Sequence, residues 1–169
     1  METSVNLSRR NFFRAKTSAR RFLRPPWAMP EAGFLAACTR CDACIGACPT
    51  QVVVRGDGGF PEIDFLRGEC TFCRACLDAC TPAALQAPAN TLPWHYVAVI
   101  EETCLAWDNV VCRTCGDLCE AGAIRFRPQL GQAARPEIDL TLCTGCGACV
   151  APCPSRAVRV TAANPGAMT

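Results

Sequence analysis

Apolar residues in this 169-residue chain form short runs separated by turns. The clearest runs make two pairs, each flanking a glycine-containing turn or loop: Val52–Val54 with Phe60–Ile63, and Ala123–Phe126 with Glu137–Leu140. Runs of this length bounded by glycine indicate β-hairpins. The tetrapeptide Pro-Glu-Ile-Asp recurs at 61–64 and 136–139. The two segments are therefore interpreted as copies of one unit, a short helix followed by strand, turn and strand.

A different segment joins the two copies. Pro82, Pro88 and Pro93 mark a boundary there, and the following run His95–Ile100 predicts the opening strand of a new unit. The sequence thus predicts an α+β fold, with two tandem modules of short hairpins and short helices preceded by a basic N-terminal helix. The expected boundaries are 1–30 for the basic arm, 31–90 and 91–162 for the modules, and 163–169 for the tail.

The N-terminal arm predicts an amphipathic helix. Its apolar side chains share one face, after an N-cap at Ser8 and before a stop at Pro25–Pro26: Phe12, Ala15, Ala19, Phe22 and Leu23. Residues 1–24 contain seven basic residues and one acidic residue, whereas acidic residues outnumber basic ones in the rest of the chain. Such a helix can dock on a partner protein, on anionic lipid or on the acidic body of its own chain. All three alternatives remain open.

The segment Ser8–Arg14 resembles the start of a twin-arginine export signal. A secretory signal needs an apolar stretch of about 7–15 residues next. Here no uncharged run between Arg14 and Arg24 exceeds three residues. We therefore expect a cytoplasmic protein. If the arm docks on a partner protein, the residues of this motif are the candidates for binding it: Arg9, Arg10, Phe12, Phe13 and Arg14.

Cysteine is the most unusual feature of the composition, with 16 residues in 169. They fall into four sets with none left over: Cys38, Cys41, Cys44 and Cys48; Cys70, Cys73, Cys76 and Cys80; Cys104, Cys112, Cys115 and Cys119; Cys143, Cys146, Cys149 and Cys153. Sets one, two and four have the spacing Cys-x2-Cys-x2-Cys-x3-Cys, which is typical of 4Fe–4S ferredoxins. Three cysteines spaced three residues apart place their loop around one face of the cubic cluster, so that each thiolate binds a different iron.

Zinc ligation and disulfide bonding fit this spacing less well. A zinc ion takes four ligands in a tetrahedron, which leaves a tight run of four cysteines unexplained. Disulfides need an oxidising compartment, and cysteines three residues apart bridge poorly. We therefore expect all sixteen cysteines to be ligands of four 4Fe–4S clusters.

Set three departs from the regular spacing, because seven residues separate Cys104 from Cys112. The insertion contains Trp107, which either lies over its cluster and excludes water or belongs to a surface loop. Water access is one determinant of cluster potential. Both interpretations remain open.

The linkers and cysteine runs resemble two bacterial two-cluster ferredoxin modules in tandem. That resemblance implies that paired sets exchange their fourth cysteine. The implied ligands are Cys38, Cys41, Cys44 and Cys80 for cluster one; Cys70, Cys73, Cys76 and Cys48 for cluster two; Cys104, Cys112, Cys115 and Cys153 for cluster three; and Cys143, Cys146, Cys149 and Cys119 for cluster four. A nested arrangement, pairing set one with four and two with three, is the alternative. The matching hairpin linkers favour adjacent pairing.

Other chemistry is absent from the sequence: there is no glycine-rich phosphate loop, catalytic triad, paired-carboxylate site or nucleic-acid motif. With every cysteine committed to a cluster, no iron is left open for a substrate. The sequence therefore predicts an electron-transfer or cluster-handling protein rather than an enzyme. Modules of about sixty residues bury little apolar surface, so the clusters are expected to serve as their cores.

Several motifs together resemble the NapF family, the ferredoxin-type accessory proteins encoded with periplasmic nitrate reductases: SRR at 8–10, RPPW at 24–27, CTRCDAC at 38–44, the long-spaced third set, and CGACVAPCP at 146–154. The resemblance implies a cytoplasmic protein with four 4Fe–4S clusters. It also implies binding to the catalytic molybdoprotein subunit, NapA, before export, and a role in its maturation. The alternatives are a soluble electron relay between quinol-oxidising membrane iron–sulfur subunits and another acceptor, and a passive iron–sulfur store.

Overall fold

The computed structural model describes residues 22–89 and 91–163. The first half contains α1 (Glu31–Ala37), α2 (Ala43–Gly46), β1 (Val53–Arg55), a 3-10 turn (Asp57–Gly59), β2 (Pro61–Ile63) and α3 (Ala75–Asp78). The second half contains β3 (Tyr96–Ile100), α4 (Thr114–Asp117), β4 (Ile124–Gln129), β5 (Gln132–Ile138) and β6 (Val158–Ala162). No helix in these described ranges combines the length and hydropathy needed to cross a membrane.

Both expected hairpins are confirmed. Strands β1 and β2 are antiparallel, with Val53 opposite Ile63, and β4 and β5 are antiparallel, with Ile124 opposite Ile138. The second hairpin is longer than the sequence suggests, because its strands continue along polar residues to a tight turn at Gly131, where φ is 68°. That positive φ is one that glycine adopts without steric cost.

A third pairing joins the beginning and end of the second half. Strand β3 runs antiparallel to β6, with Tyr96 opposite Ala162. The first half contains the same arrangement in reduced form, as a single antiparallel bridge between Ala28 and Leu85. Each half is therefore closed by contact between its first and last segments.

A continuous apolar core connects the halves. Its buried members come from both: Phe34, Val52, Phe60, Ile63, Phe65 and Leu85 from the first, and Ala98, Ile124, Val150, Val158 and Val160 from the second. A two-stranded sheet is marginal alone in water. Packing several such sheets around one core buries the apolar surface that each sheet would leave exposed by itself.

The prediction is wrong for the C-terminal end of the N-terminal helix. Phe22, Leu23 and Arg24 are not helical. Pro25 disfavours the helical conformation at the residue before it, and the Arg24 side chain is buried in the protein instead of facing solvent. The remainder of the predicted helix lies outside the described residues.

Candidate metal centres

The three regularly spaced cysteine loops share one backbone conformation. The residues immediately before and after the second cysteine have positive φ in each: Arg40 and Asp42 (59° and 61°), Phe72 and Arg74 (53° and 68°), and Gly145 and Gly147 (70° and 83°). Successive N–H groups in such turns form concavities that bind anionic groups. In the first loop the Ala43 amide hydrogen-bonds the Cys41 thiol and lowers its pKa.

The third loop is built differently. Arg113, the residue after the second cysteine, has φ of −128°. The preceding insertion packs against β5, where the Asn109 side-chain oxygen accepts a 2.5 Å hydrogen bond from the Ala133 amide. The Arg135 guanidinium carbon lies 4.6 Å from the centroid of the Trp107 ring. Trp107 is 38% exposed, so the insertion is a surface loop whose tryptophan rests on the hairpin.

After its fourth cysteine, every set enters the same turn. The residue three positions later has positive φ: Gln51, Ala83, Gly122 and Arg156, at 55°, 56°, 61° and 53°. Its amide donates to the carbonyl of the fourth cysteine, with N–O distances of 3.2, 3.2, 2.9 and 3.1 Å respectively. The next residue is small and buried: Val52, Ala84, Ala123 or Ala157. In the last copy the Ala157 amide also donates to the Cys153 sulfur at 3.3 Å.

The cysteines converge in four quartets, each with three members from one set and the fourth from the partner set. Quartet one is Cys38, Cys41, Cys44 and Cys80; quartet two is Cys48, Cys70, Cys73 and Cys76; quartet three is Cys104, Cys112, Cys115 and Cys153; quartet four is Cys119, Cys143, Cys146 and Cys149. Quartets one, two and four each surround a small cavity. In quartet three, Cys115 interacts with Cys104, Cys112 and Cys153. This grouping is the adjacent arrangement of sets and differs from the nested one.

The central thiols of the quartets are buried, and burial shifts their pKa values. Desolvation, with smaller contributions from neighbouring thiolates, raises the pKa of Cys44 to about 11 and that of Cys149 to about 12. Bound metal reverses this effect by deprotonating the thiol that coordinates it. Among the described residues, no three His, Cys, Asp or Glu side chains are arranged to hold a single metal ion. Four thiols around one cavity match the four thiolate ligands that a 4Fe–4S cluster takes.

At two of the exchanged cysteines, hydrogen bonds lower the thiol pKa by more than burial raises it. At Cys48, burial raises the pKa, but the Thr50 hydroxyl and the amides of Val53, Val52 and Thr50 bring it below its ordinary value. At Cys153, the Ser155 hydroxyl and the amides of Ala157, Val158 and Ser155 likewise bring the pKa below its ordinary value despite burial. These donors stabilise a thiolate at both positions.

The quartets form a row in the order one, two, four, three. Cys44 of quartet one and Cys76 of quartet two interact electrostatically, as do Cys149 of quartet four and Cys115 of quartet three. Quartets two and four meet where the Cys70 amide donates to the Cys146 carbonyl at 2.8 Å. The spatial order therefore differs from the order along the chain.

Aromatic side chains reinforce the contact between quartets two and four. The Trp94 ring lies 5.3 Å from Phe72 and 6.0 Å from Phe65, centroid to centroid. Its indole N–H donates to the Thr144 carbonyl at 2.9 Å. Because Phe72 and Thr144 belong to the cysteine loops of different modules, Trp94 bridges the two loops.

The structure brings all sixteen predicted cysteines into quartets, whereas Arg9, Arg10, Phe12, Phe13 and Arg14 lie outside the described residues. Sequence reasoning missed Trp27, which lines the cavity of quartet two. The RPPW motif at 24–27 is the available signal, although by itself it indicates only a family resemblance.

Comparison with known proteins gives a consistent result. Two family models, both described as 4Fe-4S dicluster domain, match residues 37–85 and 110–157. Two dicluster domains bind two clusters each, so the protein carries four 4Fe–4S clusters.

Similar whole proteins are ferredoxin-type. The chain is 46% identical to the ferredoxin-type protein NapF of Haemophilus influenzae over 167 residues, covering 92% of this chain and 94% of that protein. It is 44% identical to NapF of Escherichia coli K12 over 155 residues, covering 91% and 94%. The methylamine utilization ferredoxin-type protein MauM of Methylophilus methylotrophus is 32% identical over 150 residues, covering 78% and 66%.

Proposed function

Because the chain belongs to the NapF family of ferredoxin-type proteins, we propose that it is a cytoplasmic accessory protein that binds the precursor of the catalytic subunit of periplasmic nitrate reductase, NapA, and takes part in its maturation before export. Similarity to NapF over more than nine-tenths of the chain is the observation that carries this proposal. The basic motif Ser8–Arg14 supports a binding role for the arm.

Each quartet is proposed to ligate one cluster, and bound clusters supply one-electron exchange. The chain provides the thiolates and donors that hold them. The Ala98 amide donates to the Cys143 sulfur at 3.4 Å, and the Thr50 hydroxyl lies 3.5 Å from the Cys48 sulfur. Hydrogen bonds to ligand sulfurs and exclusion of solvent are the means by which a protein tunes such centres. With all sixteen cysteines used as ligands, the proposed role is not catalytic.

Paired cysteine substitutions test the ligand assignment. The variant Cys48→Ser/Cys70→Ser removes two ligands of one quartet and should bind about twelve irons, against about sixteen for the parent protein, because one cube of four is lost. The variant Cys41→Ser/Cys48→Ser takes both substitutions from one set but from different quartets, and should bind about eight. Iron and sulfide are measured after anaerobic purification. The reverse ranking of the two variants would refute exchange of the fourth cysteine.

Anaerobic affinity capture tests the maturation role. The tagged protein should retain the unexported precursor, and Arg9→Ala/Arg10→Ala should reduce the captured amount by about tenfold, the effect of losing about 1.4 kcal/mol of binding free energy. The variant Arg20→Ala/Arg21→Ala is the matched control, since it removes the same charge from the same arm outside the motif. Iron content establishes that both variants carry all clusters.

Equal capture by both arginine variants would refute a specific role for the motif. Failure of the parent protein to capture precursor would refute the accessory function itself.

The row of quartets favours one second candidate, a soluble relay between quinol-oxidising membrane iron–sulfur subunits and another acceptor. Four centres whose thiols interact electrostatically in pairs, Cys44 with Cys76, Cys70 with Cys146 and Cys149 with Cys115, suit conduction along the molecule. Depleting the protein after the reductase has matured separates the roles. A relay predicts loss of quinol-driven nitrate reduction with dye-driven activity intact, whereas a maturation factor predicts that both activities persist.

A further inference from the structure

The segment Leu23–Met29, here called the strap, lies across quartet two. Pro26 and Trp27 line the cavity that the four cysteines of this quartet surround. Trp27 is 8% exposed and Pro26 is fully buried. The strap therefore forms one wall of this metal site.

Several contacts fix the position of Trp27. Its amide donates to the Pro93 carbonyl at 2.6 Å, and its carbonyl accepts from the Gln86 amide at 2.8 Å. The guanidinium carbon of Arg74, which lies between Cys73 and Cys76, is 5.3 Å from the Trp27 ring centroid. Trp27 itself has φ of 62°, an outlier for a bulky side chain that only a well-determined environment maintains.

Arg24 anchors the N-terminal end of the strap. It is 5% exposed, and its guanidinium donates to the Glu31 carboxylate at 2.6 and 3.0 Å and to the Pro61 carbonyl at 3.1 Å. The same group lies 5.0 Å from the centroid of the Phe34 ring. The Arg24 amide donates to the Tyr96 hydroxyl at 2.9 Å, so the anchor contacts both halves of the molecule.

Quartet two differs from the neighbouring sites in the origin of its wall. The cavity of quartet one is lined by residues from Phe34 to Leu85, and that of quartet four by residues from Ala98 to Cys149. Only the cavity of quartet two, among these three, includes residues 26–27, which lead directly into the basic arm.

We propose that the strap is a dedicated cover for the second cluster, in which Trp27 excludes solvent and Arg24 fixes the segment in place. Access of small reactants to this cluster depends on Trp27, whereas the cavities of quartets one and four contain no residue of the strap in their lining. The inference rests on the proposed assignment of quartet two as a cluster site.

The rate of iron release from the holoprotein tests whether the strap protects the second cluster. The anaerobically purified protein is mixed with an iron(II) chelator and a limited amount of oxygen, and released iron is followed with time. The variant Trp27→Ala should release about a quarter of its iron, one cluster of four, at least about tenfold faster than the parent protein, because removing a buried indole lowers the cost of local opening. Trp27→Phe should restore most of the protection.

Two controls test whether the effect is specific to the position of Trp27 and whether it depends on the basic arm. Trp107→Ala removes an indole that rests on the β4–β5 hairpin and should not produce the fast phase. Deletion of residues 1–21 leaves the strap intact and should keep the parent rate.

The Cys48→Ser/Cys70→Ser variant shows which quartet the rapidly released iron comes from. Adding Trp27→Ala there should give no fast phase, because quartet two is already empty. A persistent fast phase would assign that iron to another site and overturn the proposal, as would uniform acceleration of all the iron or an unchanged rate in Trp27→Ala. Failure of the ligand assignment is detected separately, by the initial iron content of the double cysteine variant.

Discussion

Removal of the clusters will unfold both modules and leave no folded apoprotein. The described hairpin strands are three to seven residues long and pair only two at a time, and helices α2, α3 and α4 have four residues each. Helices this short are unstable alone, and an isolated hairpin is at best marginal. The free energy of ligation is therefore folding free energy for this chain.

Circular dichroism and urea unfolding will measure this effect. After anaerobic chelation and removal of sulfide, we expect the far-ultraviolet signal of ordered backbone to fall and the cooperative unfolding transition to disappear. Reconstitution with iron and sulfide under reducing conditions is the control for irreversible damage and should restore both. A cooperative transition in apoprotein free of iron would show that the apolar core is sufficient by itself.

Substitution of Gly147 will disrupt the contact between the modules. A Cβ atom at this position would collide with Cδ1 of Phe65, and φ is 83°, which disfavours any side chain. Phe65 is buried and packs edge-on against Trp94, which bridges the two cysteine loops. We expect Gly147→Ala to cost about 2 to 4 kcal/mol, combining backbone strain with overpacking.

The matched control for this substitution is Gly122→Ala. Gly122 also has a positive φ, 61°, but beyond its chain neighbours no atom lies within 4 Å of the position that a Cβ would take. This variant should therefore lose only about 1 kcal/mol, from strain. Combining Gly147→Ala with Phe65→Ala tests the collision, since the double variant should lose less stability than the sum of the single variants. Strict additivity in thermal and urea unfolding would contradict it.

Local patterns are sufficient to predict the repeated elements. The hairpin around residues 56–59 has apolar runs on both sides of a glycine turn, and the cysteine spacing is short enough to identify each loop by itself. Exchange of the fourth cysteine depends on contacts between distant parts of the chain. We expect it only because the sequence resembles two-cluster ferredoxins. The β3–β6 pairing escapes prediction because Val158–Ala162 carries no signal for a partner strand about sixty residues earlier.

Arg24 shows why the rest of the arm region could not be predicted. Its spacing from Arg20 and Arg21 is compatible with the polar face of a basic helix. Its observed environment comes from Glu31, Pro61 and Phe34, which are separated from it in sequence and adjacent only after folding. Helical periodicity contains no information about such a buried anchor.

The exchange of fourth cysteines also sets an order of completion during synthesis on the ribosome. In the proposed ligand sets, both sites of the first module have all their cysteines once the chain has grown to Cys80. Quartet three begins at Cys104 but remains incomplete until Cys153 has emerged, only sixteen residues before the end of the chain. A nascent chain thus has two complete ligand sets long before the other two. Quartet three, whose first cysteine is synthesised before any cysteine of quartet four, is the last to be completed.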